Sequence, residues 1–341
     1  MKASHEFKAV KAIKSAKALK ALKAAEAFLA VAALSGAASV YAQSSVQLYG
    51  RVNTTVEHQK IGDDSVNGLY NNSSRFGFKG TEDLGGGLRA GFALESGFAS
   101  DTGISASPFF GRQSEVNLSG AFGTVRLGRW ISESYFATAD YVSMHNHDTG
   151  SSSDALYAYM MRDTNKIGYR TPSFGNFTLE GAVGLHEQAN GTGGKTAYDL
   201  AANYAVGDLA LGAGYTSLDQ AKQFAIRALY TMGPFVVGAY VQRDENAIIP
   251  DGGKRNNVRL SAAYLVGASE FHVNVGRAGS YSKVADSGAS QYTLGYNYNL
   301  SKRTKVYGYY THVNNQAIGG YQTGDSGVDF SSLAVGVHHN F

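Results

Sequence analysis

The stretch LRAGFALESGF (residues 88–98) alternates between two kinds of side chain. Apolar residues occupy every second position from Leu88 to Leu94, whereas Arg89 and Glu95 fall on the opposite face of an extended chain. A period of two is that of a β-strand with one apolar and one polar face. The stretch therefore predicts a strand whose two faces meet different environments.

The same alternation recurs along the chain. It returns in segments 46–57, 177–186, 198–204, 224–230, 258–264, 271–275 and 292–298. Short turns rich in Gly, Asp or Asn connect some strands, at residues 83–87, 120–123, 174–177, 206–209, 232–235, 265–269 and 300–304. Longer polar loops connect the others, at residues 60–74, 100–108, 187–195, 243–255, 278–289 and 313–331. Short turns at one end and long loops at the other predict a barrel of about 16 antiparallel strands.

The two faces of the strands indicate a membrane environment. The polar faces carry charges at mid-strand, including Arg51, Arg75, Arg227 and Arg259, which a packed soluble interior does not accommodate. Aromatic residues concentrate near strand ends, as in the interfacial girdles of membrane barrels. We therefore predict an all-β fold, a transmembrane antiparallel β-barrel with its apolar face toward lipid. The expected lipid contacts include Phe92, Leu94, Ile226, Leu260 and Leu294.

Residues 1–42 differ from the rest of the chain. Seven lysines precede an apolar stretch at residues 27–34, and small residues follow up to Ala42. This order predicts a secretory signal peptide at residues 1–42, cleaved after Ala42, and a mature barrel at residues 43–341. Because the lysines recur every third residue, a basic amphipathic helix on a membrane surface is the alternative.

The leader also explains the charge balance. The chain has 30 basic and 27 acidic residues. Without residues 1–42, which contain seven lysines and two glutamates, 23 basic and 25 acidic residues remain, a net charge of −2. The composition therefore gives no support for nucleic-acid binding. The chain has no cysteine, which excludes disulfides and thiolate chemistry, and its nine histidines show no metal-ligand spacing. No cofactor is predicted.

Several motifs resemble the Gram-negative general porins, in family order and over the whole mature chain. They are LYGR (48–51), SRFGFKGTEDLGGGLRAGFALESGF (74–98), GRQ (111–113), FGTVRLGRW (122–130), RTPSFGNF (170–177), SKRT (301–304) and VGVHHNF (335–341). The resemblance implies a barrel of 16 strands, three barrels in a homotrimer, and a third loop folded into the lumen. It also implies an outer-membrane location beside lipopolysaccharide and a C-terminal strand, ending in Phe341, that assembly machinery reads.

The resemblance implies that residues 131–163 form the third loop. This segment is the longest without clean alternation, and such a long irregular segment is uncommon unless it has a function. The acidic residues expected at the constriction of the pore are Glu133, Asp140, Asp148 and Asp154. An ordinary solvated surface loop is the alternative.

The resemblance further implies a wall of basic residues opposite the loop. The matching positions are Arg51, Arg75, Arg112 and Arg162, and Lys166 and Arg170 are expected beside them because they share the phase of Arg162. Alternation supports five of these independently, but Arg112 shares its phase with Val116 and Leu118. Its lumenal position rests on the resemblance or on an unseen β-bulge.

Arginines facing carboxylates across a narrow aqueous gap bias which ions pass without binding a solute tightly. The expected function is passive diffusion of small hydrophilic solutes and ions, with a weak preference for anions and no catalysis. One alternative is a barrel enzyme such as a lipase or protease, which needs a Ser/His or Asp/His set that the sequence does not single out. The other is a closed barrel adhesin, against which the charged inner faces argue.

Overall fold

A computed structural model of the chain describes residues 45–140, 142, 150–160, 163–189 and 192–341. The predicted leader therefore lies outside the described residues. The described strands form one antiparallel sheet. Its segments are β1 (Ser45–Ile61), β2 (Asp64–Asn71), β3 (Arg75–Gly85), β4 (Leu88–Gly97), β5 (Gln113–Gly120), β6 (Gly123–Arg129), β7 (Lys166–Arg170), β8 (Phe177–Gly184), β9 (Ala197–Val206), β10 (Leu209–Leu218), β11 (Ala221–Met232), β12 (Phe235–Glu245), β13 (Lys254–Val266), β14 (Ser269–Ala278), β15 (Ala289–Asn299), β16 (Thr304–Asn315) and β17 (Phe330–Asn340).

Helical structure among the described residues is confined to the connection between β6 and β7. It consists of α1 (Glu133–Thr138) and a single 3₁₀ turn (Gly150–Ser152). No helix in the described part of the chain is long and apolar enough to cross a membrane.

The seventeen segments make sixteen barrel strands, because β2 and β3 are two halves of one strand. The outer part of β1 pairs with β2, from Thr54 to Ile61, and its inner part pairs with β3, from Ser45 to Arg51. Between the halves, Ser73 has a φ of 58°. The predicted 16-stranded barrel is confirmed.

The prediction of a loop at residues 60–74 was wrong. β1 continues to Ile61 and β2 begins at Asp64, so most of this segment is a paired hairpin. Its polar, Gly-containing sequence resembles a loop because, beyond the lipid, the outward face of a strand need not be apolar.

The barrel closes by pairing of its first and last strands. The antiparallel ladder between β1 and β17 runs from Arg51 opposite Asn340 to Ile61 opposite Phe330. Gly50 and Phe341 extend it with two reciprocal backbone hydrogen bonds of 3.1 and 3.0 Å. Closure matters because an unpaired strand edge in lipid would leave backbone groups unsatisfied.

The two faces of the sheet have the predicted orientation. In β1, Asn53, Thr55 and Glu57 are buried inside the barrel, whereas Val52 and Val56 are exposed on its outer surface. A row of outward rings crosses β12–β15 near the short turns, through Phe235, Tyr264, Phe271 and Tyr296, with centroid separations of 4.9, 6.3 and 5.1 Å. Such a row is typical of an interfacial aromatic girdle.

The segment between β6 and β7, residues 130–165, is called loop 3 below. Its described residues contact side chains that point into the barrel from β1, β9, β11, β12, β13 and β15, so loop 3 lies in the lumen, as predicted. It follows the wall through roughly half of the barrel. The passage lies on the other side, between loop 3 and strands β3 to β6.

Candidate pore constriction

Asp199 of β9 holds the beginning of α1. Its carboxylate accepts hydrogen bonds from the backbone N–H groups of Glu133 (2.7 Å) and Ser134 (3.1 Å). The first N–H groups of a helix have no partner within the helix, and a carboxylate at this end also faces the positive end of the helix dipole. A fully buried Asp199 thus fixes where loop 3 enters the lumen.

Two glycines of β10 let α1 lie directly on the wall. A Cβ at Gly212 would lie 2.0 Å from the carbonyl oxygen of Ala137, and one at Gly214 would lie 2.6 Å from the Cβ of Ser134. Since these contacts involve backbone and helix atoms, any side chain at either position would push α1 into the passage.

Two side-chain amides of the barrel wall hydrogen-bond to the backbone in the middle of loop 3. Gln242 accepts a hydrogen bond from the N–H of Ala158 (2.8 Å) and donates to its carbonyl oxygen (3.2 Å). Gln291 likewise accepts from the N–H of Ala155 (3.0 Å) and donates to the carbonyl oxygen of Ser153 (2.8 Å). These side chains replace the partners that an irregular backbone lacks.

Asp154 and Arg259 form the charged part of this attachment. The guanidinium of Arg259, wholly buried on β13, donates to Asp154 at 2.7 Å, and the Tyr240 hydroxyl donates to the other carboxylate oxygen. Asp154 also accepts from the N–H of Leu156 (2.9 Å). Its negative charge is therefore compensated by the wall.

Glu57 of β1 binds the 3₁₀ turn of loop 3. Ser151, in the 3₁₀ turn, donates to the Glu57 carboxylate at 2.7 Å, and Ser332 of β17 donates to the same oxygen at 2.7 Å. Tyr309 donates to the other oxygen at 2.9 Å. One buried carboxylate thus joins loop 3 to the strands that close the barrel.

The remaining passage is a cavity of about 600 Å³. Wall residues and loop residues line it from opposite sides. On the wall they are Arg75, Glu95, Arg112, Gln113 and Arg126, and on and beside loop 3 they are Trp130, Ile131, Tyr135, Phe136, Asp140, Ser153, Asp154, Tyr157, Tyr159 and Asp163.

Arg75 and Arg112 share one carboxylate, that of Glu95. The Nε atoms of the two arginines lie 3.6 and 2.6 Å from the same carboxylate oxygen. The arginine side chains are 23% and 26% exposed and the Glu95 side chain 13%, so the two arginine side chains are the more accessible members of this cluster. Arg112 precedes β5, which is why strand alternation could not place it. Arg51 lies opposite Arg75 in the ladder and donates to the Ser73 carbonyl oxygen.

Arg126 of β6 lies between two carboxylates. It contacts Glu115 of β5 at 2.5 Å and also pairs with Glu133 of α1. Burial raises the pKa of Glu133 to about 8, with the Arg126 guanidinium opposing and the neighbouring Glu180 adding to this shift. Again the arginine side chain is more exposed, at 19%, than the side chains of its two partners at 6% and 9%.

The other predicted basic residues lie elsewhere. The Lys166 side chain is wholly buried, with its Nζ 3.6 Å from Asp199, 3.2 Å from the Trp130 carbonyl oxygen and 4.8 Å from the Trp130 ring. Arg170 pairs with Glu180 at 2.5 Å and lines a separate cavity of about 380 Å³. Arg162 lies outside the described residues.

The predicted acidic residues are also dispersed. Asp140 and Asp154 line the passage, Glu133 faces the separate cavity with Arg170, and Asp148 lies outside the described residues. Asp163, which the sequence did not single out, lines the passage too. Its carboxylate accepts hydrogen bonds from the Tyr159 hydroxyl, and burial raises its pKa.

Other residues that line the passage were not singled out as site residues from the sequence. Glu95 and Arg126 are placed inside by the same alternation that indicated Arg75, because Leu94 and Leu127 point outward. The aromatic residues of loop 3 carry no periodic signal, so nothing in the sequence placed them at the passage. Within the described ranges, no group of three His, Asp or Glu residues could hold a metal ion.

A closed 16-stranded barrel with an apolar outer belt and a charged, loop-narrowed lumen defines a β-barrel channel of the outer membrane. The family model for Gram-negative porins matches residues 27–318, and the chain belongs to that family.

Relatives and solved structures agree with this assignment. Outer membrane porin protein 32 of Delftia acidovorans is 34% identical, over 91% of this chain and 98% of its own length. A second outer membrane porin protein, from Bordetella pertussis, is 29% identical, over 91% and 97%. The solved anion-selective porin from Comamonas acidovorans is 30% identical, with a TM-score of 0.74 over 88% of this chain and 100% of that one.

The Arg259–Asp154 pair gives a test of how loop 3 is held. Replacing Arg259 by Met leaves a covered carboxylate unpaired, which costs roughly 3–5 kcal/mol when one partner of a buried ion pair is removed. Single-channel recordings of Arg259→Met should therefore show added current noise and flicker, because loop 3 is less firmly fixed.

Two further variants separate the pair from general damage. Arg243→Met changes an exposed residue of the neighbouring strand and should record like the wild type. Adding Asp154→Asn to Arg259→Met removes the carboxylate charge that has lost its partner, and the current noise should fall most of the way back to the wild-type level. Noise that is the same in all three variants would rule out the pair as the attachment.

Proposed function

We propose that this porin is a channel for passive diffusion of small hydrophilic solutes with a weak preference for anions, and that it catalyses no reaction. The observation that carries the proposal is the Arg75–Glu95–Arg112 cluster, in which two guanidinium groups share one less exposed carboxylate. Positive charge exposed in a narrow passage raises the local concentration of anions.

The loop side of the passage supports the same preference. Asp154 is compensated by Arg259, and the partly buried Asp163 carboxylate accepts hydrogen bonds from the Tyr159 hydroxyl. Asp140, which is partly exposed at the passage, opposes the preference and keeps it weak. A relative described as an anion-selective porin, at 30% identity, adds support.

We infer a homotrimer in the outer membrane, associated through the outer surface of β1 and β17. The exposed aliphatic residues at the centre of this surface are Val52, Val56, Leu333, Val335 and Val337. Val56 lies directly opposite Val335 in the ladder. Elsewhere the outer surface mixes aliphatic residues with Tyr and Phe, whereas here Phe341 is the exposed ring at the end of β17, so the aliphatic patch at the centre of this surface is suited to packing against another protomer.

The ends of the chain have proposed roles as well. The charged, apolar and small-residue regions of residues 1–42 support cleavage after Ala42 during export. Phe341, which ends the closing strand, is proposed as part of the signal read by the assembly machinery. The apolar outer belt supports contact with outer-membrane lipid, including lipopolysaccharide.

Removing the cationic cluster tests the anion preference. In Arg75→Ser with Arg112→Ser, the permeability ratio of chloride to potassium should fall by roughly a factor of two or more, since two exposed positive charges leave the constriction. The reversal potential across a planar bilayer under a KCl gradient measures this ratio. Lys302→Ser with Arg303→Ser removes the same charge from an exposed turn and should leave the ratio unchanged. Equal shifts in the two double variants would contradict the proposal.

The interface is tested by arginine at matched depths. Val335→Arg and Leu260→Arg both place a charge at the middle of an outward strand face, where each costs roughly 2–4 kcal/mol in lipid. Only Val335→Arg should convert trimers to monomers on unheated gels, because Leu260 lies away from the aliphatic patch. Trimers that persist in Val335→Arg, or that dissociate equally in both, would exclude the patch as the interface.

A further inference from the structure

The passage has aromatic rings on its loop side, which a water-filled channel does not require. Tyr159 is 39% exposed, and Tyr135 and Phe136 are partly exposed. Ring surface in contact with water is unfavourable, so its retention needs a reason. Packing explains Tyr157, whose ring is buried against Tyr240 at 5.5 Å. Tyr135 also packs against this cluster, with its ring 5.6 Å from that of Tyr157, so Tyr159 and Phe136 are the rings whose exposure packing does not explain.

The exposed rings are held in place. The Tyr159 hydroxyl accepts a hydrogen bond from the Ser132 N–H (3.2 Å) and donates to Asp163 (2.8 Å), which fixes its ring at the passage. Phe136 lies in the second turn of α1, whose first turn is bound by Asp199. A fixed ring loses little conformational entropy when a solute packs on it, which favours recognition.

The rings meet at steep angles. Tyr135 and Tyr159 are 5.3 Å apart with an interplanar angle of 88°, and Tyr135 and Phe136 are 6.0 Å apart at 62°. Such a cluster presents a corner made of ring faces and ring edges. A flat aromatic guest fits a corner of this kind, since aromatic pairs prefer edge-to-face or offset contacts. A sugar chain would instead require successive rings facing the same way.

The opposite side of the same cavity carries guanidinium groups. Arg75, Arg112 and Arg126 line it together with Tyr135, Phe136 and Tyr159. Guanidinium groups bind carboxylates with two parallel hydrogen bonds. The cavity of about 600 Å³ also lies within the range of roughly 300–1,000 Å³ typical of sites for small organic molecules.

We propose that the constriction favours small aromatic carboxylates, with the carboxylate toward the arginines and the ring against the aromatic corner of loop 3. This inference rests on the proposed anion-preferring channel and adds a solute class to it. Binding is weak and transient, because conduction requires that the solute also leaves.

Benzoate and cyclohexanecarboxylate test the proposal, since they have the same charge and similar size and differ in the aromatic ring. Each is added to wild-type trimers in a planar bilayer, and the concentration that halves the chloride current is measured. Benzoate should act at a concentration about three- to tenfold lower, the effect of one favourable aromatic contact. The ratio of the two half-blocking concentrations, cyclohexanecarboxylate over benzoate, should fall close to one in Phe136→Leu. It should be preserved in Phe174→Leu, where the changed residue lies in an exposed turn.

The outcomes separate the two proposals. Equal block by the two acids in the wild type, or a ratio that survives in both Phe136→Leu and a second variant, Tyr159→Leu, overturns the aromatic site even when the KCl potential shows anion preference. Stronger block by maltotriose than by benzoate also overturns it and favours a saccharide. If the channel prefers cations and benzoate still blocks at a lower concentration than cyclohexanecarboxylate, only the anion preference is overturned. If a variant fails to assemble into trimers on unheated gels, the ratio of half-blocking concentrations in the wild type still decides whether the aromatic site exists.

Discussion

The structure depends on one constraint, that every backbone N–H and C=O group away from bulk water must have a partner. In lipid the constraint is met by sixteen strands whose ladder closes between β1 and β17. Loop 3 meets it differently, because irregular backbone inside the barrel has no neighbouring strand to pair with. Asp199, Gln242, Gln291 and Glu57 supply the missing partners from the wall.

This requirement divides the lumenal wall into two halves with different roles. Inward side chains of β1, β9, β11, β12, β13 and β15 bind loop 3, so charges such as Arg259 are not available to the passage. The inward side chains of β3 to β6 face the loop across water. Their arginine side chains are more exposed than their glutamate side chains, although the two kinds of charge are similar in number. The exposed fraction of each charge, not the count, determines the field in the passage.

Much of the fold could be predicted from local pattern, since a period of two reports directly which side chains face lipid. It placed Val52 outside and Glu57 inside, and it gave the number of strands. The pattern failed at residues 60–74, where β1 and β2 pair beyond the lipid and the outward face need not be apolar.

The site was less predictable, because its contacts join residues far apart in sequence. Alternation placed Lys166 inside, but Trp130 and Asp199 cover it, a contact that no local pattern contains. Asp154 lies on loop 3 as expected and contributes to the attachment as much as to the passage. The aromatic corner likewise became visible only once loop 3 was folded against the wall.

The central claim is that the arginines of the wall, and not the carboxylates of loop 3, set the field in the constriction. The most direct test is the reversal potential of the wild-type channel under a KCl gradient, measured around 0.1 M and again around 1 M. The Debye length falls from about 10 Å to about 3 Å between these concentrations, so we expect anion preference at low salt that weakens at high salt. A channel that prefers potassium at low salt would contradict the account, because the carboxylates of Asp140, Asp154 and Asp163 would then dominate the passage.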